Sequence, residues 1–436
     1  YQDLDIFQQQ DNSDWRVIPP PEVPRDFLEF NPVAWSTEIR SDGELFEDFT
    51  YVGGVIYSED DTDTINSIGG VNVIGGATTE TWGIYTNWTW RFAEKWDTSL
   101  GARYSDVTYD AEVFGFIPGV GELDSPYKES YSDPSYSFKL RYYPQDDLMV
   151  YAAVDTAFRS GGVNVLAPLA GQLADIFTFE PVQSNLLTIN QQYLEFTQED
   201  SIAYEIGMKG TFLEQRLRWN VSLFVQEYDD HQYRTSPSDS AVTPALSGAL
   251  SNLAVNVEEV DVYGFESEFD YLINDIWSIS VVAAYAKPEI QEYSKRMCEE
   301  GEAPPGTLIC PGEKGEQLND EPTFHSLAQL LFNTPWQGQD FGLFGNVTAE
   351  YYNEPNQAVS TPNIDDVLVF DATLGIRDLD NQWSVSVWSK NITDETDFLS
   401  EGVSLEMVGP GVEEIIGYSA PLRAPRSIGI SGEYYF

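Results

Sequence analysis

The clearest pattern in the chain is a strict alternation of apolar and polar residues that begins at Leu217. One parity is apolar and the other is polar as far as Gln226, with Phe224 as the exception. The apolar positions are Leu217, Trp219, Val221, Leu223 and Val225, and the polar ones are Arg218, Asn220, Ser222 and Gln226. A period of two residues predicts a long β-strand with one apolar and one polar face. Residues 199–212 repeat the pattern, and the link at 212–215 has room only for a hairpin turn.

The same pattern recurs along the chain and predicts about fifteen strands, or sixteen if the first residues complete one. The other predicted strands are Val33–Arg40, Phe46–Tyr57, Thr81–Arg91, Trp96–Ser105, Ser135–Tyr143, Leu148–Phe158, Val260–Tyr271, Trp277–Tyr285, Phe324–Phe332, Phe341–Tyr352, Val367–Arg377, Trp383–Lys390 and Ser427–Phe436. No segment approaches the roughly 18 consecutive apolar residues of a membrane helix.

The links between these strands alternate between short and long. The short links include 92–95, 144–147, 213–215 and 378–381, and the long ones include 161–200, 287–321 and 391–425. A transmembrane β-barrel has this asymmetry, whereas soluble sandwiches and propellers do not sort their connections by parity. Aromatic residues gather near the strand ends, as they do at membrane interfaces. The sequence therefore predicts an all-β fold, a transmembrane antiparallel barrel whose short links share one end.

The chain is strongly acidic, with 72 acidic and 22 basic residues and a formal charge of −50. Such a surface argues against nucleic acid as a partner, because nucleic-acid binding needs a basic surface. We interpret the charge as an acidic exterior suited to a saline habitat, with ion binding as the alternative. Glu59, Asp60, Asp61 and Asp63 fall in a predicted loop over residues 58–76. Calcium binding there is the alternative to a solvated loop, but the spacing is not that of an EF-hand.

The two cysteines, Cys298 and Cys310, lie in one segment rich in Pro and Gly. Neither a histidine nor a second cysteine pair accompanies them, so a zinc site is not supported. We favour a disulfide between them, formed in an oxidising compartment, over two free thiols.

Several blocks of the sequence resemble TonB-dependent outer-membrane receptors. They are VYAAVDTAFRSGGVN at 150–164, SIAYEIGMKGTFLEQRLRWNVSLFVQEYDDHQ at 201–232, VDVYGFESEFDY at 260–271, SVWSKNITDET at 386–396 and the aromatic ending at 432–436. The resemblance implies a bacterial outer-membrane location, contact with membrane lipid and lipopolysaccharide, and coupling to TonB through an N-terminal plug. It also implies that Tyr434 and Phe436 form the C-terminal signal for the barrel-assembly machinery. If Phe436 lies in the periplasm, the long loops are extracellular.

The chain departs from the family at its beginning. Family barrels have 22 strands and a plug in the lumen, and this chain shows neither a plug-like stretch nor that many strands. We expect residue 1 to lie inside the barrel domain of a longer protein. The alternative is a complete porin-like barrel of about sixteen strands. In that barrel, Ser427–Phe436 would pair with residues before Arg40.

No enzymatic motif is present, and no metal or cofactor is implied. His231 and His325 are the two histidines of the chain, and they give little support to a histidine-centred catalytic triad. Uptake of a scarce nutrient is the function that the resemblance implies, with an iron–siderophore complex as the default cargo. Cobalamin and oligosaccharides are alternatives within the family, and a passive porin is the alternative outside it. The candidate cargo contacts are Arg159, Asn164, His231, Tyr233 and Arg234, which lie where strands meet long loops.

Overall fold

The structure is a computed structural model, and it consists of strands and their connections. It describes residues 2–3, 6–10, 26–68, 71–117, 121–164, 195–235, 253–292, 295–297, 309–311, 314–315, 317, 323–353, 366–380, 382–396, 402–409, 412–419 and 423–435. Within this part of the chain, no helix is long and apolar enough to cross a lipid bilayer.

The strands are numbered in chain order. They are β1 Gln2–Asp3, β2 Ile6–Gln10, β3 Asp26–Phe46, β4 Phe49–Ile68, β5 Val71–Ala93, β6 Trp96–Ile117, β7 Gly121–Gln145, β8 Leu148–Arg159, β9 Gly162–Val163, β10 Glu195–Phe196, β11 Glu199–Phe212, β12 Leu217–Thr235, β13 Leu253–Leu272, β14 Trp277–Ile290, β15 Lys295–Met297, β16 Ile309–Pro311, β17 Phe324–Pro335, β18 Phe341–Tyr352, β19 Val367–Asp378, β20 Trp383–Lys390, β21 Gly402–Gly409, β22 Val412–Ser419 and β23 Ser427–Tyr434.

One antiparallel sheet holds all the long strands, and each long strand pairs with the next one along the chain. The order runs from β3 to β8, then through β11 to β14, β17 to β20, and finally β23. The short strands β1 and β2 pair with β3 on its other edge. Three two-stranded ribbons, β9–β10, β15–β16 and β21–β22, belong to the long connections. The predicted meander of about fifteen strands is confirmed.

The short links lie together at one end of the sheet. Each is tied to the next by a backbone hydrogen bond, for example from Tyr143 N to Lys95 O and from Thr211 N to Asp147 O, both 2.9 Å. The series continues through Leu272 N to Arg216 O, Asn333 N to Ile276 O, Leu379 N to Asp340 O and Tyr435 N to Gln382 O. The strands leave these turns in alternating directions, so the long connections start and end at the opposite end, which we call the rim. The predicted sorting of these short and long links is confirmed.

Two predicted loops at the rim are instead extensions of strands. β4 continues to Ile68 and β5 begins at Val71, so the acidic residues of 58–68 lie in a strand. Likewise, β6 continues to Ile117 and β7 begins at Gly121, where a long connection through Asp133 was expected. The stretch 58–76 reads as a loop because Asp, Thr, Ser and Gly dominate it and no apolar face marks the strand period. In β6, Val107, Tyr109 and Ala111 do alternate with polar residues, but their parity is opposite to that of Leu100 and Tyr104, so the pattern breaks between them. The first turn also lies later than expected, at residues 47–48, because β3 runs through residues 41–45.

The extension of β4 also removes the geometry that a calcium loop would need. Successive side chains in a strand point to opposite faces, so Asp60 lies on the face opposite to Glu59 and Asp61. Asp61 accepts a 2.7 Å hydrogen bond from Thr78 Oγ1, and Glu59 accepts one of 3.0 Å from Tyr57. Among the described residues, no three metal-ligating side chains come together as a metal site.

The pairing register sorts the side chains into two faces. One continuous row across seven strands is apolar: Trp88, Leu100, Phe138, Val154, Tyr204, Val225 and Tyr263 are successive partners. The large side chains of this face are exposed, with Ile206 at 55% and Leu223 at 56%. On the opposite face Arg218 pairs with Asp270, and Asn220 donates to Glu268. A face this apolar and this exposed belongs in lipid, because a contiguous apolar surface of this size is unfavourable in water.

Aromatic residues border the apolar face at both ends. Near the turns, the rings of Trp96 and Tyr142 stack at 4.4 Å, and near the rim the rings of Trp82 and Tyr104 lie 5.6 Å apart. On β5 the two borders are marked by Trp90 and Trp82, whose spacing corresponds to about 27 Å along a strand. Strand tilt shortens this to roughly the 25 Å height of the apolar band in membrane barrels.

The last strand has one described neighbour. Ile428 pairs with Ser389 and Ile430 with Val387, both in β20. The ladder to residues before Arg40, which a closed sixteen-stranded barrel requires, is not among the ladders of the described residues.

Phe224 is the one apolar exception in the polar face of β12, and its partner on the neighbouring strand explains it. It lies opposite Gly264 of β13, where a Cβ atom would lie 2.8 Å from the Phe224 ring and would overlap the carbonyl oxygen of Tyr285. Because Gly264 has no side chain, the Phe224 ring fits into the space beside it. A glycine inside a strand often marks such a close approach.

We predict that Gly264→Ala destabilises the folded barrel by about 1–3 kcal/mol, the usual cost of overpacking. The measurement is the denaturant midpoint at which the compact, heat-modifiable band of the barrel disappears on a gel. Gly432→Ala is the matched control, because its Cβ would lie 3.9 Å from the nearest atom, the Ser384 oxygen. An unchanged midpoint for Gly264→Ala would contradict the close packing.

Candidate functional site at the rim

The base of the connection from residue 160 to residue 198 folds back against the rim. The short strands β9 and β10 pair, with Val163 opposite Glu195 and Gly162 opposite Phe196. A Cβ atom at Gly161 would overlap the Phe196 carbonyl oxygen and the Tyr131 hydroxyl of β7. The ribbon therefore packs tightly on β7, and glycine is required there because no side chain fits.

Asn164 fastens this ribbon to β13. Its Nδ2 donates to Ala254 O and its Oδ1 accepts from Ala254 N, both at 2.8 Å. The amide thus pairs with both backbone groups of one residue, as a neighbouring strand would. A second amide, Asn256, accepts from Thr197 N at 2.7 Å and donates to Thr197 O at 3.1 Å. Both ends of the connection are held to β13 in the same way.

Glu199, His231 and Gln232 form the buried centre of this fastening. Gln232 Nε2 donates to Ser160 O and Thr197 O, both at 2.9 Å, so its side chain bridges the two ends of the connection. Glu199 Oε2 accepts from Gln232 N at 2.6 Å and lies 3.0 Å from His231 Nδ1. Glu199 is 9% exposed and Gln232 is 8% exposed. We call Asn164, Glu199, His231, Gln232 and Asn256 the rim knot.

The carboxylate of Glu199 is stabilised in its charged form. Burial by itself would raise its pKa, but the hydrogen bonds from His231 and the Gln232 amide, with the charges of His231 and Arg159, outweigh burial and lower the pKa below its ordinary value of 4.5. Glu199 lies beyond Tyr204 on the rim side of the apolar face, in the polar region of the wall.

The structure brings the five predicted contact residues to one part of the rim, around the knot. Arg159 lies opposite Glu199 at the end of β8, and Tyr233 lies opposite Val255. Arg234 lies opposite Ala254, the residue that Asn164 binds, although the side chain of Arg234 is outside the described residues. Asn164 and His231 have structural partners in the knot, and a contact with cargo stays a prediction for all five residues.

A second rim cluster was not predicted. On β17 and β18, the rings of His325 and Tyr352 stack at 4.4 Å with an interplanar angle of 1°. The Tyr352 hydroxyl donates to Glu350 Oε1 at 2.5 Å, and the guanidinium of Arg423 lies 5.7 Å from the Tyr352 ring. Two residues on neighbouring strands and a third some 70 positions later share one site, and no local pattern in the sequence signals this.

Between the turns and the rim, the polar face carries a cavity of about 430 Å³ lined by residues of five neighbouring strands. The Tyr151 ring lies beneath two ammonium groups, Lys139 Nζ at 5.5 Å and Lys209 Nζ at 6.0 Å, and its hydroxyl donates to Glu205. Glu266 and Glu268 of β13 also line the cavity. The cavity therefore combines carboxylates, amines and a phenol on the wall.

The cysteines lie at the ribbon of β15 and β16. Cys310 lies opposite Arg296, and Met297 opposite Ile309. Cys298 follows Met297 and lies outside the described residues, as does Phe436 at the end of the chain. The disulfide stays a prediction.

A family model described as "TonB dependent receptor-like, beta-barrel" matches residues 2–392. The chain belongs to the TonB-dependent receptor β-barrel family. Barrels of this family lie in the outer membrane, so the apolar face of the sheet meets lipid and the polar face lines the lumen. On β12 the apolar face with Leu217, Trp219, Val221 and Leu223 therefore points outward, and the polar face with Arg218, Asn220 and Ser222 points to the lumen. A sequence search among curated proteins gives no match.

Solved structures of receptors share the barrel fold. The ferric yersiniabactin uptake receptor FyuA from Yersinia pestis is 14% identical, with 96% of this chain and 56% of that chain covered and a TM-score of 0.66. For the ferric-catecholate import receptor Fiu from E. coli K12 the identity is 14%, the coverages are 100% and 60%, and the TM-score is 0.64. The copper transporter OprC is 12% identical, with 99% of this chain and 61% of that chain covered and a TM-score of 0.63. The chain spans 56–61% of the length of these three proteins.

We predict that Asn164→Ala loosens the base of the 160–198 connection. The substitution leaves both backbone groups of Ala254 without their partner, which costs about 1–3 kcal/mol for buried groups. Hydrogen exchange at residues 253–256 should rise by roughly tenfold or more, since each 1.4 kcal/mol is a factor of ten. Gln198→Ala is the control, because the Gln198 side chain bonds the carboxylates of Asp200 and Asp133 and not the backbone of β13. Equal protection in the two variants would contradict the role of Asn164.

We predict that acid releases the rim knot. A carboxyl group whose folded pKa is lowered stabilises the fold above its unfolded pKa, and the contribution is lost as the pH falls through the folded pKa. The knot should therefore be fully fastened above about pH 4.5 and weaken below it. The measurement is hydrogen exchange at residues 160–164 and 195–198, corrected for the intrinsic pH dependence. Glu199→Gln should be loose at neutral pH and should lack this acid transition, and a transition that persists would contradict the assignment to Glu199.

Proposed function

We propose that this chain forms the barrel wall of an outer-membrane receptor that takes up a scarce nutrient with energy relayed by TonB. The match of the family model to residues 2–392 carries the proposal. An iron–siderophore complex is the proposed cargo, because FyuA and Fiu are named as receptors for ferric complexes. Copper, cobalamin and an oligosaccharide are the alternative cargoes within the same mechanism, and copper is the cargo named for OprC.

The sorting of the links supports the proposed orientation. The turns at 94–95, 146–147 and 213–216 are short and share one end, as periplasmic turns do. The long connections then face the cell exterior, where the rim knot and the His325–Tyr352 cluster lie beside the entrance. In this orientation lipopolysaccharide surrounds the rim and Tyr434 lies at the periplasmic end, and Tyr434 with Phe436 forms the proposed signal for the barrel-assembly machinery. TonB would act through the N-terminal plug that the family resemblance implies.

A passive porin remains the competing function. A porin admits solutes by diffusion, so its transport rises linearly with concentration and needs no energy. A receptor saturates and depends on its energy source. The match of the family model to residues 2–392 favours the receptor, because that model describes TonB-dependent receptors.

The test is uptake by cells that express the full-length protein and lack other siderophore receptors. We predict that radioactive iron from ferric siderophores enters by a saturable process that is lost when TonB is deleted. Labelled cobalamin and copper serve as the alternative cargoes in the same cells. Uptake that is linear in concentration and unaffected by TonB deletion would contradict the receptor and support the porin.

A further inference from the structure

The outward face of the wall carries an apolar groove of about 440 Å³. It crosses β17 to β20, from Trp277 of β14 to Ile428 of β23. Trp277 has the outward parity of β14, because Lys287 lies opposite the outward residue Tyr263. The pairs that follow, from Trp277 to Phe332 and on through β18 to β20, keep the groove on this face. The groove is therefore part of the surface that meets lipid.

Small residues on neighbouring strands form the floor of the groove. Ala372 of β19 lies opposite Ser389 of β20, in the same row as Val347. In the next row Gly345 has no side chain, and the Phe332 ring lies low over it, since a Cβ atom at 345 would be 2.6 Å from that ring. The large apolar side chains that surround the floor are Leu330, Phe332, Val347, Leu374, Val387 and Ile428. The wall is thus lower here by the height of a side chain.

The groove lies in the half of the hydrocarbon layer next to the turns. Val347 follows Phe341, the first residue of β18, by six positions, which is about 20 Å along a strand. A strand tilt of about 45° reduces this to about 14 Å of depth, roughly half of the 30 Å hydrocarbon core. At the lower end the rings of Trp277 and Phe332 lie 5.2 Å apart, and Trp277 is the first residue after a turn. The groove therefore opens at the turn-side interface and extends to the middle of the bilayer.

We infer that the groove binds an acyl chain of a phospholipid from the leaflet at the turn end of the barrel. A lipid beside a flat wall contacts protein on one side, whereas a chain in the groove contacts the floor and both walls. Dispersion attraction grows with the number of atom contacts, and an empty groove would forfeit them. The chain is in an apolar medium in either place, so packing favours the groove and transfer from water does not enter.

The position of the groove selects the occupant. The groove is continuous with the lipid-facing surface, and the side chains of Leu374, Val387 and Ile428 on its border are exposed on that surface. In the proposed orientation the turn end faces the periplasm, where phospholipid forms the leaflet, whereas lipopolysaccharide surrounds the rim. A phospholipid tail can therefore enter at Trp277 and reach Ala372 from its own leaflet.

The experiment uses the full-length protein in vesicles of phosphatidylethanolamine, a fraction of which carries a diazirine near the end of one acyl chain. On illumination the diazirine loses dinitrogen and the carbene inserts into a nearby C–H or O–H bond, and mass spectrometry of peptides locates the adducts. We expect the groove residues of β17 to β20 to be labelled about threefold more per residue than the outward residues of β8 and β11, because the groove holds its chain longer. Even labelling of these two parts of the wall would overturn the inference.

Matched variants connect the labelling to the groove. Ala372→Phe fills the floor and should reduce labelling of the groove to the level of the flat wall. Ala152→Phe is the control, because Ala152 is an exposed outward residue of β8 opposite Leu140 and Ile206, and it should leave the groove labelling unchanged. Ser389→Leu fills the floor from β20 and replaces Ala372→Phe if that variant lacks the heat-modifiable band of the folded barrel. Undiminished labelling in the folded variant would overturn the inference.

Two further measurements distinguish the phospholipid from other occupants. Vesicles in which lipid A carries the diazirine should label the groove less than the phospholipid does, and the reverse order would overturn the choice of phospholipid. Photoreactive p-benzoylphenylalanine in place of Val347 should give lipid adducts in cells, and an adduct with a second protein chain would overturn the inference. These readouts measure lipid contact alone, so failure of TonB-dependent uptake would overturn the proposed function and leave the groove unaffected.

Discussion

The whole structure depends on pairing every backbone polar group of a wall that stands in lipid. An unpaired peptide group in hydrocarbon costs several kcal/mol, so the strands must form an unbroken ladder. Side chains adapt to this ladder. At position 264 only a glycine fits, because the Phe224 ring and the Tyr285 carbonyl occupy the space that a side chain would need. Polar atoms that do face lipid find partners there, as when Trp219 Nε1 donates to Ser267 Oγ at 3.1 Å.

At the rim the backbone ladder ends, and side-chain amides take over its role. Asn164 pairs with the backbone of Ala254 as a strand would, and Gln232 bridges the two ends of a long connection. Such amides hold irregular chain in place at the edge of a regular sheet. The rim is therefore the place where the fold is least repetitive.

The structure shows on which face of the wall many of the acidic residues lie. Acidic residues of β4 and β5 face outward beyond the aromatic border, where hydroxyl groups of Tyr57 and Thr78 bind them. Others line the lumen, where they neutralise the few basic residues. An acidic exterior suited to a saline habitat stays an interpretation of the sequence, with ion binding as the alternative.

The sequence by itself determined the meander, the two faces and the end at which the turns lie, because an alternation of period two records the environment of each face locally. It did not determine the extensions of β4 to β7, where the apolar residues are sparse or change parity and cross-strand pairing continues the strands. It also placed Asn164 and His231 at the rim without their partners, since the bond from Asn164 to Ala254 joins residues 90 positions apart. Only the tertiary structure decided those contacts, because folding back the chain creates neighbours that no local pattern records.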